Sequence, residues 1–214
     1  MTVAEPYPLR LEGRLDPPLN RWLWLIKILL LIPHYILLGF LWLGFLIAWV
    51  VALFAILFTA RYPRVLFDFN VGVMRWTWRV SFYGLSALGT DRYPPFSLEH
   101  KPDYPATLEV DYPERLSRGL VTVKWWILAL PQYLVVAFFA GAGQFFGAGL
   151  IGILTIFAGV ILMVTRRYPP ELFDLILGFN RWCFRVAAYA ALMTDEYPPL
   201  RLDMGGWDVK ASAR

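Results

Sequence analysis

The segment that decides the fold runs from Trp22 to Ala60 and reads WLWLIKILLLIPHYILLGFLWLGFLIAWVVALFAILFTA. Lys27 is the only charged side chain in these 39 residues. A bilayer core about 30 Å thick takes roughly 20 helical residues, whereas a single helix of this length would extend about 58 Å. The segment is therefore too long for one transmembrane span, and it predicts two.

A second apolar segment, from Gly119 to Thr165, contains Lys124 as its only charge. Over the whole chain 58% of residues are hydrophobic and only 17% are charged, against about 25% charged in a typical soluble domain. This composition excludes a disordered chain. Cys183 is the single cysteine, so a disulfide scaffold is excluded as well. The sequence indicates an integral membrane protein.

The chain repeats itself once, and the repeat locates the turns. Lys27 matches Lys124, and Arg61-Tyr62-Pro63 matches Arg167-Tyr168-Pro169. The second copy is longer, and its extra residues fall most simply in the Gly-rich stretch 141–149, which corresponds to the region around residues 39–44. We therefore predict two membrane repeats, 1–99 and 104–203. Each forms a transmembrane hairpin, with spans at about 21–41 and 45–60 in the first and about 118–140 and 149–165 in the second.

A charged, helix-like segment follows each hairpin, at 64–88 and 170–193. Helical spacing puts its polar residues on one face. These residues are Asp68, Gly72, Arg75 and Arg79 in the first copy, and Asp174, Gly178, Arg181 and Arg185 in the second. Such a helix is typical of the headgroup plane. A third span per copy is the alternative, with Arg75 and Arg181 deep in the bilayer at high energetic cost.

The predicted fold class is an all-α integral membrane protein with two transmembrane hairpins, each followed by an amphipathic interfacial helix. Short cytoplasmic strands are possible beside the Tyr-Pro motifs, at Leu9–Glu12, Phe96–Glu99, Thr107–Asp111 and Leu200–Asp203. Arginines flank the predicted spans at the feet of the hairpins, which favours an inner-membrane protein with both termini in the cytoplasm. The segment before Trp22 contains acidic residues and does not resemble a cleavable signal peptide.

Motifs that carry chemistry are missing from the sequence. It has no HExxH, Walker-type loop, GxSxG or CxxC, and its two histidines, His34 and His100, do not make a metal site. The basic residues follow membrane topology and so do not indicate a nucleic-acid partner. We predict that the protein is not an enzyme, that it takes no cofactor or metal, and that it is a structural, lipid-associated or partner-binding module.

Two sets of residues are candidates for that role. The first would contact lipid headgroups or a partner: Arg61, Arg75, Arg79, Arg167, Arg181 and Arg185. The second contains polar residues predicted to lie within the membrane: Lys27, His34, Asp68, Lys124 and Asp174. Both lysines could extend their ammonium groups to the membrane surface or line an ion pathway. Membrane lipids are the expected partners, together with a second copy or another membrane protein. A small oligomeric transporter or channel is the alternative.

Several motifs together resemble a known family. They are Ile32-Pro33-His34-Tyr35, Arg61-Tyr62-Pro63-Arg64, Arg75-Trp76-x-x-Arg79-Val80 and Thr90-Asp91-Arg92-Tyr93-Pro94-Pro95. They are similar to those of a bacterial membrane family of unknown function, DUF4389, and the second half of the chain resembles it too. It departs at Gln132, which stands in place of histidine, and at Glu196, which stands in place of arginine. The resemblance implies a membrane protein of tandem copies and supplies no catalytic residues.

Overall fold

The structure is a computed structural model that describes residues 7–141, 149–200 and 202. Two strands, β1 (Leu9–Gly13) and β2 (Ala106–Val110), pair antiparallel, with Leu11 opposite Leu108. They form a ribbon that joins the two copies. The ribbon includes two of the four predicted strand segments, so the protein is not all-α. Residues 96–99 are not a strand, and residues 201 and 203 of the fourth segment lie outside the described residues.

The first apolar segment forms one long helix instead of a hairpin. A 3₁₀ turn (Leu23–Leu25) and a short helix α1 (Lys27–Leu30) lead into α2, which runs unbroken from Ile32 to Thr59. The predicted spans 21–41 and 45–60 are therefore wrong. The glycines taken as a turn lie inside α2, and Gly44 instead provides room for a close contact, because a Cβ there would lie 3.2 Å from the ring of Phe69.

The second copy interrupts the corresponding stretch. Helix α4 (Leu120–Val123) passes through a π-helical segment (Lys124–Leu128) into α5 (Leu130–Ala140), with a bend of 45°. Helix α6 (Leu150–Thr165) follows. A Cβ on Gly149 would lie 2.2 Å from the backbone nitrogen of Gly141, so α6 begins where α5 ends. The predicted Gly-rich turn falls largely on residues 142–148, outside the described part.

Helices α3 (Arg64–Tyr83) and α7 (Pro170–Ala190) occupy the centre of the protein. The sequence predicted them as interfacial helices, and this is wrong. Twelve of the 20 residues of α3 are buried, because its apolar face packs on α2 and its arginine face packs on the ribbon and on the loop before β2. Within the polar stripe, Arg75 and Arg79 thus bind backbone carbonyls inside the protein, whereas Asp68 is exposed.

The two copies exchange their strands. Helix α3 of the first copy packs on β2, and α7 of the second copy packs on β1. Arg75 Nε donates to the carbonyl of Leu108 at 3.0 Å, and the equivalent Arg181 Nε donates to the carbonyl of Leu11 at 3.0 Å. The copies are therefore related by an approximate twofold arrangement, in which each helix binds the strand of the other copy.

The apolar helices form a layer on the side of α3 and α7 that faces away from the ribbon. Helix α2 packs on α3, while α5 and α6 pack on α7. The buried side chains of α2 form one stripe along the whole helix: His34, Leu38, Phe45, Ala48, Ala52 and Ile56. Among the described helices only α2 is long and apolar enough on its own to cross a membrane; the segments Leu120–Leu128 and Leu130–Ala140 meet that criterion only as a bent pair. Two transmembrane hairpins are therefore not supported.

Candidate functional site

A buried lysine pairs with an aspartate in the first copy. Lys27 stands at the first residue of α1, and its side chain is 2% exposed. Its Nζ lies 2.9 Å from Asp91 Oδ1, donates to the carbonyl of Thr90 at 2.7 Å, and lies 4.5 Å from the centre of the Tyr83 ring. The other Asp91 oxygen accepts the backbone N–H of Asn20. The site therefore ties the segment after α3 to the segment before α1.

The second copy has the same arrangement. Lys124 Nζ lies 2.7 Å from Asp195 Oδ1, donates to the carbonyl of Thr194 at 3.0 Å, and lies 5.7 Å from the ring centre of Tyr189. The second Asp195 oxygen accepts the backbone N–H of Ser117 at 2.6 Å. The equivalent residues and contacts indicate that both copies retain the same buried ion-pair site.

Burial opposes the charge on Lys27 and lowers the pKa of its ammonium group, while the hydrogen bond to Asp91 and its negative charge act in the opposite direction. An ammonium group buried without a counter-ion would be very costly. Here the carboxylate, a backbone carbonyl and an aromatic face surround it. Such a closed set of contacts holds a charge in place rather than presenting it to a substrate.

A second pair of equivalent sites lies about two helical turns further along the chain. Trp76 Nε1 donates to His34 Nδ1 at 3.0 Å in the first copy, and Trp182 Nε1 donates to Gln132 Oε1 at 2.8 Å in the second. Histidine and glutamine therefore serve the same role as buried acceptors. Gln132 also donates to the carbonyl of Pro198 at 3.0 Å.

The second ring nitrogen of His34, Nε2, differs from the amide nitrogen of Gln132 in its hydrogen bonding. The His34 ring stacks on Phe96 with 3.9 Å between ring centres. His34 Nε2 is buried without a hydrogen-bond partner among the described residues. With Nδ1 accepting from the tryptophan, the proton of a neutral imidazole belongs on Nε2, so the first copy buries a donor that the second copy satisfies.

The central arginines bind main-chain carbonyls. Arg75 Nη1 donates to the carbonyl of Leu98 at 3.1 Å, and Arg79 Nη1 donates to the carbonyl of Glu99 at 3.0 Å. Arg79 also donates to Ser97. Burial, with a smaller contribution from the neighbouring Arg75 charge, lowers the pKa of Arg79 to about 10. These side chains hold the loop before β2 against α3.

A charged cleft of about 320 Å³ lies between the ribbon and the first half of α3. Its charges pair with each other: Arg10 Nη2 lies 2.7 Å from Asp111 Oδ1, and Arg64 Nε lies 3.2 Å from Asp68 Oδ2. All four side chains are at least half exposed. This side of the protein has the character of a water-facing surface.

The candidate residues predicted from the sequence lie in different parts of the structure and differ in burial. Lys27, Lys124 and His34 are buried, whereas Asp68 and Asp174 are exposed. Among the arginines, Arg79 and Arg181 are buried, Arg75 and Arg185 are partly buried, and Arg61 and Arg167 are exposed. Sequence reasoning missed Asp91 and Asp195 as the partners of the lysines. A signal was present, since Thr90-Asp91 and Thr194-Asp195 stand at equivalent positions of the two copies.

A comparison with protein families accounts for both halves of the chain. The profile described as "Domain of unknown function (DUF4389)" matches twice, at residues 21–97 and 126–200. The chain belongs to the DUF4389 family. The two matches agree with a tandem duplication and confirm the resemblance seen in the sequence. No curated protein and no solved structure matches the chain.

The two DUF4389 matches include most of the paired sites. The first includes Lys27, His34 and Asp91, and the second includes Gln132 and Asp195 but begins just after Lys124. The family description names no activity, so any function has to be argued from the residues and surfaces of this chain.

Proposed function

We propose that this DUF4389 protein is a non-catalytic, structural module bound to a lipid bilayer. The observation that carries the proposal is the exposed apolar layer formed by α1, α2 and the segments from α4 to α6. Nearly all exposed large hydrophobic side chains of the described residues fall within 22–58 and 126–164. Within these two ranges, four side chains are at least 70% exposed: Phe40, Phe58, Leu134 and Val164.

The chemistry of this surface fits hydrocarbon better than a protein partner. Full burial of one large apolar side chain contributes about 1.5–3 kcal/mol, and the layer presents many of them. The only charges between Trp22 and Ala60 and between Gly119 and Thr165 are Lys27 and Lys124, and both are buried. Protein interfaces carry a polar rim around an apolar centre, whereas this surface is apolar along the length of α2.

Exposed arginines lie where the apolar layer ends. Arg61 follows α2, and Arg167 follows α6. Arginine pairs well with phosphate, so we assign headgroup contacts to these two exposed side chains. Arg75, Arg79 and Arg181 instead have backbone carbonyls as partners.

The lack of a catalytic role is part of the proposal. The two buried ammonium groups, of Lys27 and Lys124, are each enclosed by a carboxylate and a backbone carbonyl, which leaves neither free to act on a substrate. The transporter or channel alternative stays a prediction, and flux through reconstituted liposomes would favour it. An inner-membrane location with both termini in the cytoplasm is part of what we propose.

Membrane retention of charge variants tests the proposal. We expect wild-type protein to remain with membranes after alkaline carbonate extraction and to float with liposomes. The double variant Phe40→Glu/Leu134→Glu should be released from both, because each carboxylate would lie in hydrocarbon. Pro102→Glu, on an exposed loop near the ribbon, is the control and should behave like wild type. Release of the wild-type protein by carbonate would refute the proposal.

A separate experiment tests whether the two exposed arginines contribute to membrane binding. Arg61→Glu/Arg167→Glu should lower binding to vesicles that contain anionic phospholipid more than binding to purely zwitterionic vesicles, because electrostatic attraction is lost and the apolar layer is intact. Equal binding of variant and wild type to both kinds of vesicle would show that these side chains do not contact headgroups.

A further inference from the structure

The length of α2 leaves two ways to place it in a bilayer. Its 28 residues extend about 42 Å, enough to cross a hydrocarbon core of about 30 Å. It could lie along the membrane normal, or it could lie in the membrane plane with its exposed face in one leaflet. The position of the charged ribbon relative to α2 distinguishes the two.

Helix α3 lies between α2 and the ribbon and fixes their relative level. Trp42 of α2 donates through Nε1 to Thr77 Oγ1 at 3.2 Å. Two residues earlier on α3, Arg75 donates to the carbonyl of Leu108 in β2. Residues two apart on a helix point in nearly opposite directions. The ribbon therefore lies, on the far side of α3, alongside the part of α2 between His34, which accepts from Trp76, and Gly44, which lies against Phe69.

In the second copy, Trp182 of α7 donates to Gln132 of α5, while the adjacent Arg181, about 100° away around the helix, donates to the carbonyl of Leu11 in β1. The ribbon and the apolar helices therefore contact different faces of α7, as they do of α3. Two packed layers separate the ribbon from the axis of α2 by roughly 20 Å.

An orientation along the membrane normal would put this ribbon near mid-bilayer. The side chains of Arg10, Glu109 and Asp111 are each about half exposed there, at 50%, 49% and 56%. Each exposed charge in the hydrocarbon would cost several kcal/mol. A two-stranded ribbon also has outer edges whose backbone groups lipid cannot satisfy. The charges and edges of the ribbon exclude this orientation.

We propose that the protein inserts into a single leaflet, with α2 and the α5–α6 pair in the plane of the membrane and the ribbon in water. This inference rests on the proposed membrane association. One leaflet provides about 15 Å of hydrocarbon, which accommodates the apolar helices. A distance of roughly 20 Å from α2 then places the ribbon beyond the headgroups.

The flanking charges agree with this orientation. Arg21 precedes α1, and Arg61 follows α2; Arg118 and Arg167 flank the equivalent stretch of the second copy. In-plane helices keep all four on one side of the membrane. A spanning α2 would place Arg21 and Arg61 on opposite sides, even though both have counterparts in the other copy.

Sidedness of single cysteines tests the orientation in the full-length chain. In a Cys183→Ala background reconstituted into sealed liposomes, we would introduce one cysteine at a time, as Arg21→Cys, Arg61→Cys or Leu43→Cys. A membrane-impermeant maleimide is added before or after detergent permeabilisation. Asp103→Cys, in an exposed loop near the ribbon, reports the water side of each molecule.

We expect the cysteines at positions 21 and 61 to be labelled in the same fraction of molecules as the cysteine at 103, and the cysteine at 43 to stay unlabelled until the membrane is dissolved. Complementary labelling at positions 21 and 61 would overturn the in-plane orientation and leave membrane association intact. Labelling at position 43 in sealed liposomes would mean that the layer is not inserted, which would overturn the proposed function as well.

Discussion

Replacing Lys27 by methionine tests whether the paired lysine sites hold the fold together. Methionine retains much of the apolar stem and removes the ammonium group. It leaves the carboxylate of Asp91 without its counter-ion and the carbonyl of Thr90 without its donor. The variant therefore separates the charge contribution of the side chain from its packing.

The size of the expected loss in the free energy of unfolding depends on how deeply each partner of the ion pair is buried. Removing one partner of a fully buried ion pair costs about 3–5 kcal/mol. Asp91 is 22% exposed and still accepts the backbone N–H of Asn20, so part of its charge stays solvated. We expect Lys27→Met to lower the free energy of unfolding by about 2–3 kcal/mol, which is roughly a 30- to 150-fold change in the unfolding equilibrium.

Reversible urea unfolding in detergent micelles, followed by tryptophan fluorescence, measures this change. Lys124→Met is the matched variant and should show a similar loss, because its site has the same contacts. In the double variant Lys27→Met/Asp91→Asn the second substitution should recover at least about 1 kcal/mol. A loss below about 0.5 kcal/mol in Lys27→Met, with no recovery in the double variant, would refute a structural role for the pair.

Three further predictions concern single positions. His34→Leu should lower the free energy of unfolding by about 1–3 kcal/mol, since Trp76 Nε1 loses its acceptor, whereas His34→Gln should cost little in the same assay. Gly89→Ala should destabilise the fold by about 1–3 kcal/mol in thermal melts, because its Cβ would lie 2.2 Å from the buried ring of Phe82. Alkaline pH should lower stability: burial raises the pKa of Tyr62 from 10 to about 12. The unfolded state therefore ionises first, and the free energy of unfolding falls as the pH rises from 10 to 12.

Each of these has a control or a contradicting outcome. Gln132 already performs the acceptor role in the second copy, so a large loss in His34→Gln would contradict the equivalence of the two sites. Gly39 has no atom within 4 Å of a Cβ, and Gly39→Ala should leave the melting temperature unchanged or raise it. Tyr62→Phe should make the alkaline fall shallower without abolishing it, because burial also raises the pKa of Tyr104 and Tyr168; an unchanged slope would exclude a contribution from Tyr62.

The repeat made the paired sites predictable in part. Lys27 and Lys124 stood out because each is the only charge in a long apolar segment, and the structure finds both buried. Their partners Asp91 and Asp195 lie more than sixty residues away in sequence. Helical periodicity predicts contacts only between residues a few positions apart, so no local sequence pattern could identify these aspartates as partners of the lysines.

The hairpin prediction failed for a physical reason. Apolar length alone does not say whether a helix contacts lipid on all sides or rests on a protein surface, and glycine in an apolar segment fits either a turn or a close helix contact. Gly44 has the second role, against Phe69. The polar stripe of α3 was equally ambiguous, since Arg75 and Arg79, which bind backbone carbonyls, have the same spacing as arginines that face water.

The exchange of strands between copies determines what a half-length chain could do. Because α3 rests on β2 and α7 rests on β1, each half lacks the strand that covers its own central helix. A polypeptide with one copy would need a second molecule to complete it, and the natural product of that need is a symmetric dimer. Joining the copies in one chain fixes their ratio at one to one and frees each position to diverge from its counterpart. His34 and Gln132 are one such divergence.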